Sequence, residues 1–384
     1  MISTRLLPAV LAVIGGIVLA VLLLAPFVYR SYRRRGELGL GHALLAFGSL
    51  VYALALVAYT LFPVPQLDDA WCAAHAAATQ PQLNPLRFLT DIAKEQRAPG
   101  LTGLLTNPAV QQLLFNVALF VPLGAYLRHY LRRNALVIIL LGAAVSLLIE
   151  CTQLTGNWFL FPCPYRLFDV DDLLTNTLGT AVGILCAPAL HLFDRRRETN
   201  VELPRPVTTA RRLLGMLVDL LSVLVLGGVL GTTANLVGHY GCDLWLAAHP
   251  WGNLLLTALT TWLPAILLLA LPAFGSNAAT LGQRAVRLRR TRPDGTAPGA
   301  RIIPALLFGT FGYCLFTGLG HYAPAAASLA NLLPVAALLF AWRPRSHPGF
   351  SGLISGLRVT DDRANPSAPP LPQSQLPHRE GDTP

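Results

Sequence analysis

Nine stretches of the chain stay apolar over about the twenty residues that a helix needs to cross the hydrocarbon core of a bilayer. They are Leu6–Tyr29, Leu40–Phe62, Val110–Leu127, Ala135–Leu154, Leu173–Phe193, Leu213–Val237, Gly252–Phe274, Ile302–Gly320 and Pro324–Trp342. Every backbone polar group inside hydrocarbon has to be bonded within the protein, so runs of this length fold as spanning helices. The expected fold class is an all-α polytopic integral membrane protein with about nine transmembrane helices. Composition points the same way: 53% of the 384 residues are hydrophobic and 12% charged, which is not the balance of a soluble globular protein. The first run is long, is soon followed by a second, and has no A-x-A site before its Tyr29-Arg30-Ser31-Tyr32-Arg33 flank, so it reads as a retained helix and not a cleaved signal peptide.

Orientation follows from the basic residues. With the N-terminus outside and the C-terminus cytoplasmic, 24 of the 29 Lys and Arg residues fall in cytoplasmic loops and the tail, leaving Arg5, Arg87, Lys94, Arg97 and Arg166 on the outer side. The formal charge of +10 is thus divided among short juxtamembrane clusters that face an anionic leaflet. A nucleic-acid surface would instead need one basic patch interleaved with aromatics. Trp71, Trp158, Trp245, Trp251 and Trp342 sit at the ends of the apolar runs, as an aromatic belt does.

The polar stretch Arg195–Asn200 and the following Pro204-Arg205-Pro206 interrupt the middle of the chain. The expected organisation is a five-helix membrane unit over 1–198, a linker over 199–206, a four-helix membrane unit over 207–360 and a disordered cytoplasmic tail over 361–384, rich in Pro, Ser and Gln. The first unit carries a long outer loop from Pro63 to Asn107, and the second a cytoplasmic loop from Ser276 to Arg301. Cys72, Cys163 and Cys242 fall in outer segments where oxidation is possible. A Cys72–Cys163 bridge and free thiols are the two readings. No CxxC or Cys/His cluster has metal spacing, so no soft-metal site is expected, and no Walker A loop, dinucleotide fingerprint or Gly-x-Ser-x-Gly occurs.

Ionisable and amide side chains inside membrane segments are costly, so each one is a functional candidate. In the first unit, Asn116 lies early in the third run, Glu150 and Gln153 late in the fourth, and Asp172 and Asn176 at the start of the fifth. Three helices thereby bring these groups to one depth near the outer interface. Glu150 and Gln153 are i,i+3, and Asp172 and Asn176 are i,i+4, so each pair shares a face. The loop between adds Arg166, Asp169 and Asp171. Asp171 or Asp172 also suits the N-terminal cap of the fifth helix, the bland reading for either residue. For Glu150 the bland reading is a buried acid paired with Arg166. The chemical readings give Glu150 and Asp172 catalytic roles in proton transfer, with Asn116, Gln153, Arg166, Asp169, Asp171 and Asn176 as ligand-binding groups. The carboxylates and amides could equally form an oxygen shell for a hard divalent cation. Histidines such as His42, His129 and His191 show no i,i+4 pairing and read as hydrogen-bonded packing residues.

Asn116-Val-Ala-Leu-Phe-Val-Pro122-Leu-Gly124, Glu150-x-x-Gln153, and Arg166-x-x-Asp169-x-Asp171-Asp172-Leu-Leu-x-Asn176-x-x-Gly179 with Gly183 resemble the VanZ family of integral membrane proteins. The resemblance covers roughly Val110 to Cys186. It implies a role at the bacterial cell envelope, with lipid-linked wall material as partner and lowered susceptibility to teicoplanin-type glycopeptides. The second unit resembles the RDD family, named for an arginine and two aspartates, through Arg212 and Asp219, Thr280-Leu-Gly282-Gln-Arg284 with a strand-like segment after it, and Gly352-Leu-Ile-Ser-Gly356-Leu-Arg358-Val359. Two positions depart from that pattern: Leu281 stands where a proline is expected and Gly352 where the closing segment has its aspartate. Three functions remain open on the sequence: recognition of lipid-linked wall material or a wall-directed antibiotic, acid–base or metal-assisted chemistry on a lipid head group, and transport using Asp219 and Glu150.

Overall fold

Each apolar run forms helix, and the capping residues that bound the runs explain where the helices start. The structure, a computed structural model, describes residues 6–61, 68–76, 80–96, 99–194, 200–341 and 349–364. The expected tail from 365 on, Arg97 and the Arg195-Arg196-Arg197, Arg343 and Arg345 clusters lie outside the described residues. In chain order the long helices of the first part are α1 (Leu6–Arg35) and α2 (Leu40–Leu61), then the short α3 (Asp69–His75), α4 (Arg87–Glu95) and α5 (Gly100–Leu105), followed by α6 (Pro108–Leu131), α7 (Ala135–Leu154) and α8 (Val170–Phe193). Asn107 caps α6, with Pro108 at its first position, and Asn134 caps α7. In both, a side-chain oxygen takes up N–H groups that the helix itself leaves unpaired.

The later part holds α9 (Thr209–Leu236), α10 (Pro250–Ala273), the short α11 (Leu281–Ala285), β1 (Leu288–Thr291), α12 (Ile302–Leu307), α13 (Thr310–Leu319), α14 (Pro324–Ala341), α15 (Gly349–Ser355) and β2 (Arg358–Asp361). β1 and β2 pair antiparallel, with Leu288 opposite Asp361 and Thr291 opposite Arg358. Among the described residues seven helices are long and apolar enough to cross a membrane, or eight if the bent pair at α12 and α13 is one span. The eighth run is broken by a 52° bend at Phe308-Gly309, and the ninth is a shorter apolar helix, Pro324–Phe340. The protein is an all-α polytopic membrane protein. Side chains such as Leu185, 79% exposed, and Leu339, 68% exposed, face outward because hydrocarbon solvates them as well as a core would.

Two compact units result: Met1–Ala20 with Gly39–Arg197, and Val21–Leu38 with Glu198–Pro384. The expected partition assigned all of the first helix to the first unit. The structure gives its second half to the other one, where Val28 and Tyr32 pack with Val218, Ala285, Val286 and Leu288 in a buried apolar cluster. Asp361, expected in a disordered tail, is the last residue of β2 and 3% exposed.

Within the first unit the closest packing is between α6 and α8. A Cβ on Gly183 would overlap the Val121 carbonyl, and one on Gly124 would overlap the Thr180 carbonyl. Small residues at such crossings let backbones approach and raise the dispersion energy, which is the main attraction between helices in a bilayer.

Candidate functional site

The polar residues of the first unit meet where α7 ends and α8 begins. Asp169 is the N-cap of α8, accepting from the Asp171 N–H at 2.8 Å. The Asp169 N–H donates in turn to Oε2 of Glu150 at 2.9 Å, which fastens the start of α8 to the last turns of α7. Glu150 is 2% exposed. Asp172, Asp169 and Arg166 all lie within electrostatic reach of it.

From α6, Asn116 donates to Oδ1 of Asp172 at 2.6 Å, and Gln112, one turn earlier, is a second donor to the same carboxylate. Asn176 donates to Oγ of Ser146 at 3.0 Å. Its own Oδ1 is buried with no hydrogen-bond partner, an acceptor that costs free energy unless a donor reaches it. Gln153 donates to the Thr60 carbonyl in α2 at 3.0 Å.

Asp171 does something the sequence did not suggest. Its two carboxylate oxygens accept from the Leu86 N–H at 2.6 Å and the Phe88 N–H at 2.9 Å, at the start of α4. The expected choice between Asp171 and Asp172 as the cap of α8 is therefore corrected. Asp169 caps α8, Asp171 caps a different helix, and Asp172 is engaged by amides.

A layer of loop covers this end of the unit and is tied down three ways. Cys72 and Cys163 are joined by a disulfide, resolving the two readings of those thiols. Gln82 exchanges backbone hydrogen bonds with Phe168 and Val170 and donates from Nε2 to Asp169 at 3.4 Å. Tyr165 donates to the Leu61 carbonyl at 2.7 Å. Burial raises the Asp169 carboxyl above its ordinary pKa, and like-charged Asp171 adds to that, against the hydrogen bonds from the Asp171 N–H and Gln82.

Sequence reasoning missed Gln112, Ser146, Gln82, Thr60 and Tyr165. Gln112 and Ser146 were within reach of it, each lying four residues before a named group, Asn116 and Glu150, on the same helix face. Among the described residues no three His, Cys, Asp or Glu side chains form a group that could hold a metal ion, so the divalent-cation shell drawn from the sequence is not assembled. The cluster is rich in acceptors: the second oxygen of Glu150 and the unpartnered Asn176 Oδ1 beside an Asp172 held by two amides, with one guanidinium close by. Such a group recognises hydroxyl, amide N–H or ammonium donors, or passes a proton between carboxylates.

Arg212 and Asp219 border one small cavity in the second unit. Asp219 is 2% exposed and accepts from the Thr280 hydroxyl at 2.7 Å and the Gly282 N–H at 2.6 Å. These bonds hold the start of α11, where Thr280 and Gln283 form a reciprocal capping box. The guanidinium within electrostatic reach of Asp219 is that of Arg290, and Arg212 packs against Gly349. Gly352 is buried in α15. In the first unit His129 and His42 approach Asp194, at 3.4 and 3.8 Å, and the His129 and His191 rings lie 4.8 Å apart at a tilt of 49°.

Residues 49–192 match the family model described as VanZ/LLP1, a span that includes the second half of α2, all of α6 and α7, α8 up to its last residue, and every residue of the carboxylate–amide cluster. The first unit is VanZ-like. No curated protein and no solved structure matches the chain.

Proposed function

We propose that the VanZ-like unit recognises the head group of lipid-linked wall material at the outer face of a bacterial cell membrane. The observation that carries this reading is the buried Glu150–Asp172 neighbourhood with Asn116 and the unpartnered Asn176 Oδ1. Carboxylate and amide oxygens accept from sugar hydroxyls, peptide N–H groups and ammonium, while Arg166 supplies a guanidinium for a phosphate. The disulfide over the site belongs to an oxidising compartment, in agreement with the outward N-terminus that the basic residues imply.

By the same reading the protein lowers susceptibility to teicoplanin-type glycopeptides. The test is the inhibitory concentration of teicoplanin, vancomycin and a lipid-anchored glycopeptide in a sensitive Gram-positive host expressing wild type, Glu150→Gln or Asp172→Asn at matched membrane levels. Protection by wild type that either variant loses supports the proposal; three identical susceptibilities sink it.

A second reading is favoured by the close approach of carboxylates: an enzyme in which Glu150 acts as base on a lipid head group. Recognition alone leaves a labelled lipid-linked precursor unchanged after incubation with purified protein, whereas chemistry converts it and stops in Glu150→Gln. A transport role for an RDD-like second unit through Arg212 and Asp219 would instead appear as gradient-dependent substrate accumulation lost in Asp219→Asn.

A further inference from the structure

The strand residue Arg290 is 7% exposed, and its Nη1 has no hydrogen-bond partner. It borders a cavity whose wall also includes Arg212, Asp219, Thr280, Thr310 and Ser351. Its volume of about 20 Å³ admits one water-sized atom. The one carboxylate that acts on Arg290 is Asp219, with the Arg212 guanidinium opposing it, and that carboxylate already accepts from Thr280 and Gly282. Burial lowers Arg290 to about 10, with the Asp219 charge opposing and the Arg212 charge adding to the fall, so it stays cationic at neutral pH.

The start of the ten-residue helix α13 adds an independent demand. Gly309 is its N-cap and offers no capping side chain, so N–H groups of the first turn lack an intrahelical partner. A Cβ placed on Gly309 would lie 3.4 Å from Nη2 of Arg290. A cation beside a helix N-terminus has the wrong sign for the helix dipole. One anion relieves all of this, because it accepts from Nη1, accepts from the helix N–H groups and offsets the buried Arg290 charge.

We propose that the second unit holds a chloride-sized monoanion between Arg290 and the start of α13, with Arg212 and the Thr310 and Ser351 hydroxyls on the same cavity. The site is separate from the carboxylate–amide cluster and does not depend on the proposed role of that cluster.

The test is thermal unfolding of the purified full-length protein in detergent at constant ionic strength, with gluconate replaced stepwise by chloride, bromide or phosphate. A bound anion stabilises the folded state by mass action, so the expected result is a saturable rise in Tm with chloride and bromide and none with phosphate. Arg290→Gln is expected to abolish the halide response. Should that variant fail to fold, Arg290→Lys keeps the charge but loses the fork, and its halide affinity should fall about tenfold or more. Chlorine-35 line broadening by wild type, reversed by bromide, is the second readout. Equal Tm in gluconate and chloride without line broadening overturns the proposal, since a water then suffices at Nη1. An undiminished halide response in the Arg290 variants overturns the assigned residues, and a preference for phosphate overturns the assigned size.

Discussion

The two buried polar clusters carry opposite surpluses and solve the same problem with opposite halves of the peptide group. In the first unit Glu150, Asp169, Asp171 and Asp172 outnumber Arg166, and the carboxylates are met by backbone N–H groups of Asp169, Asp171, Leu86 and Phe88. Arg211, Arg212, Arg287 and Arg290 are buried in the second unit with Asp219 and Asp361. There Arg211 donates to the Val286 and Arg287 carbonyls, both at 2.8 Å, besides its 2.8 Å ion pair with Asp361. The main chain thus serves as counter-charge to both. What differs is the unfilled capacity: acceptors in the first, donors in the second.

That contrast is most exposed at Asp219, where a carboxylate holds donors in a donor-rich region. Asp219→Ala strips the Thr280 hydroxyl and Gly282 N–H of their acceptor and removes the carboxylate charge beside the buried Arg290 guanidinium. Removing one partner of a buried charged group costs about 3–5 kcal/mol, so thermal melts should show a fall in Tm greater than for any single carboxylate removed from the first unit. An equal fall for Glu150→Ala would break the comparison.

Next in size is the first unit's covalent tie. Cys72→Ser should lose about 2–4 kcal/mol, read as a lower Tm under oxidising conditions, and reductant should bring wild type down to the variant while leaving the variant unchanged.

The third effect belongs to the second unit and depends on pH. Burial pushes the Asp361 carboxyl up, but hydrogen bonds from Arg363 and Arg211 outweigh it and hold the group at about 2. A depressed folded-state pKa contributes stability that is complete above the unfolded value near 4 and is lost as pH falls toward 2, here about 2 kcal/mol. Acid titration of Tm should show that loss in wild type, and Asp361→Asn should lack it.

The smallest stability effect is expected at Glu150→Gln. The amide oxygen can still accept from the Asp169 N–H, so Tm should move by less than about 1 kcal/mol equivalent while the proposed protection against glycopeptide disappears. A large fall in Tm would instead make Glu150 a packing residue.

Much of the candidate site was legible because helices have a fixed period. Asn116, Asp172 and Asn176 could be placed on common faces at a common depth from spacing alone, and the structure brings Asn116 and Asp172 into direct contact. Gln153 met the same criteria and yet turns to Thr60, because the partner of a polar side chain depends on which neighbouring helix lies beside it. Asp171 was misread for a related reason. A cap is a local pattern, and its rule assigns an acid to the nearest helix start, whereas Asp171 serves a helix start 85 residues away in the chain.

The sequence by itself determined that the chain is a stack of membrane helices, where most of them begin, and which short stretch of polar residues is VanZ-like. Those properties follow from local periods and from the cost of polar groups in hydrocarbon. Only the tertiary structure decided that the second half of α1 joins the later unit, that Cys72 meets Cys163, that Asp171 holds α4, and that Arg290 reaches the start of α13 with a donor to spare. Each of these depends on which distant backbone groups come to lie within 3 Å or so of a side chain, and hydrogen bonding at that range is set by packing across the fold and not by any repeat along the chain.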